Sequence, residues 1–174
     1  MLKTGLIMDH LWAPWRMEYI LESQEPNPVC IFCSFPAENR DSKNLIVYRS
    51  EHCLVMLNKF PYNNGHLLII PFKHEADLTR LADDIAVDLH HTLGKSIQVL
   101  QQVMSPHGLN IGINLGRTAG AGITEHLHYH LVPRWNGDTN FMPVLTGTKV
   151  LSEALTKTWE KLNQAFGNHT DPAK

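Results

Sequence analysis

No stretch of this chain approaches the roughly 18 consecutive apolar residues that a membrane-spanning helix requires, so no span is expected. The opening MLKTGLIMDHLWAPWRMEYI is interrupted by Asp9, Trp12, Pro14 and Arg16 and lacks the apolar core of a signal peptide. An excess of one charge is missing too. The 15 Lys and Arg against 17 Asp and Glu leave a formal net charge of −2, with the basic residues spread along the chain. That argues against broad electrostatic binding to nucleic acid. Cysteine is scarce and odd in number, three in all, which argues against a disulfide framework and for a reducing, cytoplasmic setting. No internal repeat or low-complexity block is present. What remains is 174 residues, 43% hydrophobic and 18% charged, enough for one domain with a proper core. One figure stands out: 11 histidines, nearly as many as the lysines and arginines combined.

Three of those histidines, His126, His128 and His130, alternate within EHLHYHLVPRW. On a helix they would scatter, whereas on a strand all three share one face, at roughly 6.7 Å per step. Leu127, Tyr129 and Leu131 then take the opposite face. Upstream, LIVYRS, CLVML and HLLIIP read as strands, with the turn-forming KFPYNNG between the last two. After Pro71, Leu78, Leu81, Ala82, Ile85, Leu89, Leu93, Ile97 and Leu100 form one face of a long helix, stopped by SPHG. LNIGINL reads as a further strand and GRTAGAG as a glycine-rich loop. Residues 149 to 166 read as a second helix with Val150, Ala154, Leu155, Leu162 and Phe166 buried. SFPAENRDSKN reads as a polar loop and residues 1–29 as an irregular arm. The expected fold is α+β: a mainly antiparallel sheet, one long helix across it and a C-terminal helix. The chain divides into an arm (1–29), a core (30–135) and an extension (136–174) within a single domain.

The chemistry of the row can be read directly. An imidazole is largely unprotonated at neutral pH and is a good nucleophile toward phosphorus, and a phosphoramidate intermediate splits one hard displacement into two. A neighbouring imidazole can hydrogen-bond phosphate oxygens or assist the leaving group. Three imidazoles on a straight strand fit a catalytic metal poorly, because zinc–nitrogen bonds of about 2 Å need converging donors. GRTAGAG can turn backbone N–H groups toward an anion. Taken alone, Cys30-Ile31-Phe32-Cys33 is equally half a zinc site, a redox pair or chance. Cys53 reads as a plain core residue.

HLHYHLVP resembles the His-x-His-x-His-x-x signature of the histidine triad (HIT) superfamily. CIFC, HCLVMLNKFPYNNGHLLIIPFKH, the long helix and GLNIGINLGRTAGAG follow in family order over about residues 28 to 135. LWAPWRMEYI and PRWNGDTNFMPV resemble the branch of bacterial diadenosine polyphosphate phosphorylases and hydrolases. The resemblance implies a HIT-like fold and a nucleotide or dinucleoside polyphosphate substrate. It makes His126, His128 and His130 the catalytic row, with His128 the nucleophile and His130 contacting phosphate and assisting the leaving group. It also implies nucleotide contacts from Asn58 (ribose), Asn114, Gly120, Gly122 and Thr124 (phosphate), and His66 orienting the row. Where many relatives carry Gln followed by Ser or Thr, this chain has Gly122 and Ile123, so backbone amides or Thr124 stand in. A structural zinc is implied at Cys30, Cys33, His74 and His126, and a homodimer or higher homo-oligomer. The acceptor, phosphate or water, stays open. The competing expectations are a nucleotide-binding signalling module and a zinc-stabilised domain with a vestigial site.

Overall fold

The computed structural model describes residues 29–138 and 153–168. The expected arm, the end of PRWNGDTNFMPV and the expected start of the last helix, with Val150, lie outside the described residues. Five strands form one antiparallel sheet: β1 (Ile46–Arg49), β2 (Cys53–Leu57), β3 (Leu67–Pro71), β4 (Gly108–Ile113) and β5 (Tyr129–Arg134), in the order β1-β2-β3-β5-β4. β1, β2 and β3 fall within the expected strand segments, β4 is shifted one residue toward Gly108, and β5 takes only the second half of the expected histidine strand. CLVML and LLIIP are apolar throughout because β2 and β3 are buried on both faces.

One face carries the long helix α2 (Asp83–Met104) and the C-terminal α3 (Leu155–Asn168). Val55, Leu57, Leu67, Ile69 and Leu131 pack there against Leu89, Val99, Leu100, Leu162 and Phe166. The other face is covered by a short helix, α1 (Ile31–Ala37), whose Phe32 joins Ile46, Leu54, Met56, Leu68 and Ile70. The polar loop expected after CIFC is therefore partly helical. Pro36 sits in the helix's last turn, and Phe32 is the residue the helix buries.

The long helix starts later than its apolar spacing suggests. Asp77 accepts from Thr79 N at 2.9 Å and caps a single 3-10 turn over Leu78–Arg80, leaving Leu78 exposed. α2 then begins at Asp83 and Asp84, two carboxylates suited to a helix N-terminus. Its buried stripe is Leu89, Thr92, Ser96, Val99 and Leu100. Thr92 and Ser96 are polar and were not expected inside. Ser96 Oγ satisfies itself on Thr92 O at 2.7 Å, and a small side chain lets the helix lie close to the sheet. In α3, Leu162 and Phe166 are buried as expected, but Ala154 precedes the helix and is exposed.

The histidine segment is strand only from Tyr129 onward. β3 and β4 both end their pairing with β5 at Tyr129. Continued in that register, Leu127 would face Pro71, which has no N–H to give. Its carbonyl is bonded instead to His126 Nε2 at 2.8 Å, and Leu127 N donates to Glu75 O at 2.7 Å. Leu131 is buried in the core under α2 and α3, opposite His130, and Leu127 on the approach is buried as well. Among the described residues no helix is long and apolar enough to cross a membrane.

Candidate active site and metal centre

His126 and His128 lie on the approach to β5, His130 on β5 itself, and His66 just before β3, where Leu68 pairs with His130. The sheet therefore places all four on the α1 side. Their hydrogen bonds assign their protons, because several partners can act in one sense only.

His128 Nδ1 lies 2.9 Å from His126 O. A carbonyl only accepts, so Nδ1 carries the proton and the Nε2 lone pair is left for chemistry. The ring is 6% exposed, and burial pushes its pKa below the usual imidazole range against the opposing effect of that bond. Burial thus favours the neutral ring. A second chain starts from Tyr62, whose N–H donates to His66 Nδ1 at 3.0 Å. His66, fully buried, must hold its proton on Nε2, which lies 3.0 Å from His130 Nδ1. His130 accordingly carries its proton on Nε2. The rings of His128 and His130 stand 5.1 Å apart, nearly perpendicular. A lone pair and an N–H donor are thus side by side.

Asn58 Oδ1 accepts from Phe60 N at 2.9 Å and its Nδ2 lies 3.4 Å from His66 Nδ1, so the amide braces this turn. Asn114, at the end of β4, donates to Gly120 O at 3.5 Å. The glycine-rich loop turns through Gly116 (φ 81°) and Gly120 (φ 92°), around a 3-10 turn over Arg117–Ala119. Gly120 N bonds Arg117 O at 2.9 Å, so Gly120 serves by conformation rather than as an outward donor. Gly122 is half-buried, and Thr124 Oγ1 is turned to Glu125 at 3.0 Å.

The four expected metal ligands converge. Cys30 Sγ and Cys33 Sγ lie 3.4 and 3.5 Å from His126 Nδ1, and Cys33 Sγ lies 3.3 Å from His74 Nδ1. All four ligand atoms are within 4.8 Å of one another. A tetrahedral zinc with Zn–S of about 2.3 Å and Zn–N of about 2.0 Å has sulfur–nitrogen edges near 3.5 Å, so the set fits that ion. His126 also has the tautomer a ligand needs: Pro71 O holds its Nε2–H, which turns the Nδ1 lone pair to the thiols. Burial and the neighbouring Cys30 push the Cys33 thiol up, a cost that a bound cation would relieve.

Two residues at the site were not singled out from sequence. Phe32, between the cysteines, packs its ring 5.5 Å from His126 and 5.2 Å from His128. Tyr62 stacks on His66 at 5.0 Å and leans on His130 at 6.0 Å. Both read as ordinary apolar or turn residues; the only sequence signal is an aromatic inside each motif.

Known proteins share this arrangement of segments. Over 158 residues the chain is 39% identical to the "AP-4-A phosphorylase" of Mycobacterium tuberculosis, spanning 87% of this chain and 80% of that one. It is 32% identical over 107 residues to the asymmetrical bis(5'-nucleosyl)-tetraphosphatase of Schizosaccharomyces pombe, covering 62% of this chain and 56% of that protein. Its fold matches the crystal structure of a zinc-bound histidine triad family protein from Mycobacterium smegmatis with a TM-score of 0.64 and 25% identity, over 80% of this chain and 94% of that one. The family model for the HIT domain matches residues 39–137, which hold the whole sheet, α2 and the four inner histidines, and by that match the chain belongs to the HIT family.

Proposed function

We propose that this protein is a nucleotidyl-transferring enzyme that cleaves a dinucleoside polyphosphate at an α-phosphate through a covalent adduct on His128. The observation that carries the reading is the fixed pair of protons: a bare Nε2 on His128 beside an Nε2–H on His130. The names of the Mycobacterium tuberculosis and Schizosaccharomyces pombe relatives support the substrate class. In the first step the His128 Nε2 pair forms the N–P bond. The P–O bond to the remaining polyphosphate breaks, its electron pair leaving on the bridging oxygen under a hydrogen bond from His130. In the second step an oxygen of phosphate or water attacks phosphorus and the N–P pair returns to His128. Phosphate yields a nucleoside diphosphate; water yields the monophosphate and sheds a proton.

Asn114 and the Gly116–Thr124 loop would flank the phosphates, and Asn58 the ribose. Cys30, Cys33, His74 and His126 would hold a structural zinc. When bound it supplies a cross-link and no reacting group, since both ring nitrogens of His126 are taken up by Pro71 O and the cysteine side. The single domain would pair with a second copy through β4, an edge strand with Ile111 48% exposed.

The test incubates the protein with a dinucleoside tetraphosphate, with and without inorganic phosphate, and quenches in base. Expected are a nucleotidyl group on His128 by mass spectrometry and cleavage that His128→Asn abolishes. Cleavage undiminished in that variant would overturn the proposal.

A further inference from the structure

The cluster that fits zinc holds a second chemistry in its two sulfurs. We infer that Cys30 and Cys33 form a thiol–disulfide exchange site for a small-molecule disulfide, and that the bond they close excludes the metal. This rests on the zinc reading above and not on transfer through His128.

The backbone brings the pair together. Cys33 N donates to Cys30 O at 3.0 Å, and such an i to i+3 turn holds its end Cα atoms within about 7 Å, as a disulfide requires. Cys30 stands just outside α1 with extended backbone and caps nothing with its side chain, so its sulfur can turn toward Cys33. Both sulfurs already converge on one atom, 3.4 and 3.5 Å from His126 Nδ1. Access separates their roles. Cys33 is exposed, whereas Cys30 is half-buried against the cluster around Phe32. Cys33 therefore meets the incoming disulfide and Cys30 resolves it. Cys53, buried on β2, takes no part.

In the first step Cys33 Sγ bonds one sulfur of the small disulfide, whose S–S bond breaks. The other half leaves as a thiol with the proton from Cys33. In the second step Cys30 Sγ attacks Cys33 Sγ, the mixed S–S bond breaks, and the second half leaves as a thiol with the proton from Cys30. The protein pair is oxidised and the small disulfide is reduced to its thiols. Zinc needs both sulfurs as thiolates, and a disulfide sulfur carries no such charge. Metal and disulfide are alternatives at one site. Closure denies the triad approach the ion that would tie it to α1, so the redox state of the pair decides whether that side of the sheet is cross-linked.

The test treats the full-length protein with oxidised glutathione in two forms, zinc-loaded and stripped by a chelator, and follows intact mass, alkylation and zinc uptake. The stripped protein should lose the mass of two hydrogens. Peptide mapping should place the bond between Cys30 and Cys33, with Cys53 alkylated only after denaturation. The oxidised product should take up no zinc until a dithiol reductant is added. The zinc-loaded form should oxidise at least about tenfold more slowly, because its thiolates are held as ligands. Cys30→Ser should stop at a glutathione adduct on Cys33, and Cys33→Ser should form its adduct at least about tenfold more slowly, from the half-buried thiol. If either variant does not fold, the two forms of the parent protein still decide. Mixed disulfides that persist in the parent, equal rates in the two variants, or a pair that closes and still takes up zinc would each overturn the inference alone. A reduced protein that takes up no zinc would remove the zinc reading and the exclusion together.

Discussion

At the scale of single residues, the site is defined less by its side chains than by backbone groups that permit one role each. His126 O, Pro71 O and Tyr62 N fix the protons of His128, His126 and His66. The first prediction belongs here. His128→Asn keeps a polar group of similar reach but lacks the nucleophile, so the turnover rate should fall by about a thousandfold or more with KM nearly unchanged. A steady-state assay with a dinucleoside tetraphosphate reads both constants; loss through KM alone would place His128 in binding rather than chemistry. The identity of the three histidines was legible from their spacing, and their division of labour came with the family resemblance. The proton assignment was not legible, because a carbonyl or an amide belongs to every residue and leaves no mark in the side-chain pattern. Phe32 was hidden for a related reason: an apolar residue inside a helical turn looks the same whether it faces a core or an imidazole.

At the scale of elements, apolar runs reported β2 and β3, because strands buried on both faces demand β-branched and leucine-rich sequence, while alternation and turn residues reported the partly exposed β1, β4 and β5. Helix starts were less legible. Capping by Asp77 and the acidic pair Asp83 and Asp84 overrode the apolar spacing at Leu78 and Leu81, and Thr92 and Ser96 hid the true buried stripe. The turn before β3 combines both kinds of signal. Asn64-Gly65 was readable as a turn, but the structure adds a second requirement. Gly65 has φ 73°, and a Cβ there would run into Met104 Sδ and lie 3.3 Å from Pro133 Cγ. Gly65→Ala should therefore destabilise by about 2 kcal/mol or more, from backbone strain and overpacking together. Gly94, inside α2 with nothing within 4 Å of its Cβ position, is the opposite case. Gly94→Ala should stabilise by about 0.5–1 kcal/mol through helix propensity. Urea midpoints of the two variants against the parent measure this pair; shifts of the same sign would contradict it.

At the scale of the whole molecule, the sheet separates two regions held together differently. On the α2 and α3 side, a continuous apolar core joins sheet to helices. On the α1 side, the triad approach has run past its strand partners, and what ties it to α1 is Phe32 and the Cys30, Cys33, His74, His126 cluster. Metal removal should loosen that side first. With zinc bound, none of the three thiols should react quickly with a disulfide reagent. After chelation Cys33, which is exposed, and Cys30, half-buried, should become reactive. Cys53 should not: burial and the nearby Asp88 push its thiol up to about 12, so it stays protonated and shielded until the core opens. Hydrogen exchange gives the spatial counterpart, with amides of 30–37 and 123–128 losing protection on chelation while those of α2 keep theirs. Three thiols reacting together, or α2 exchanging as fast as α1, would mean that the metal supports the entire fold, and that the helix-side core is too weak to stand without it.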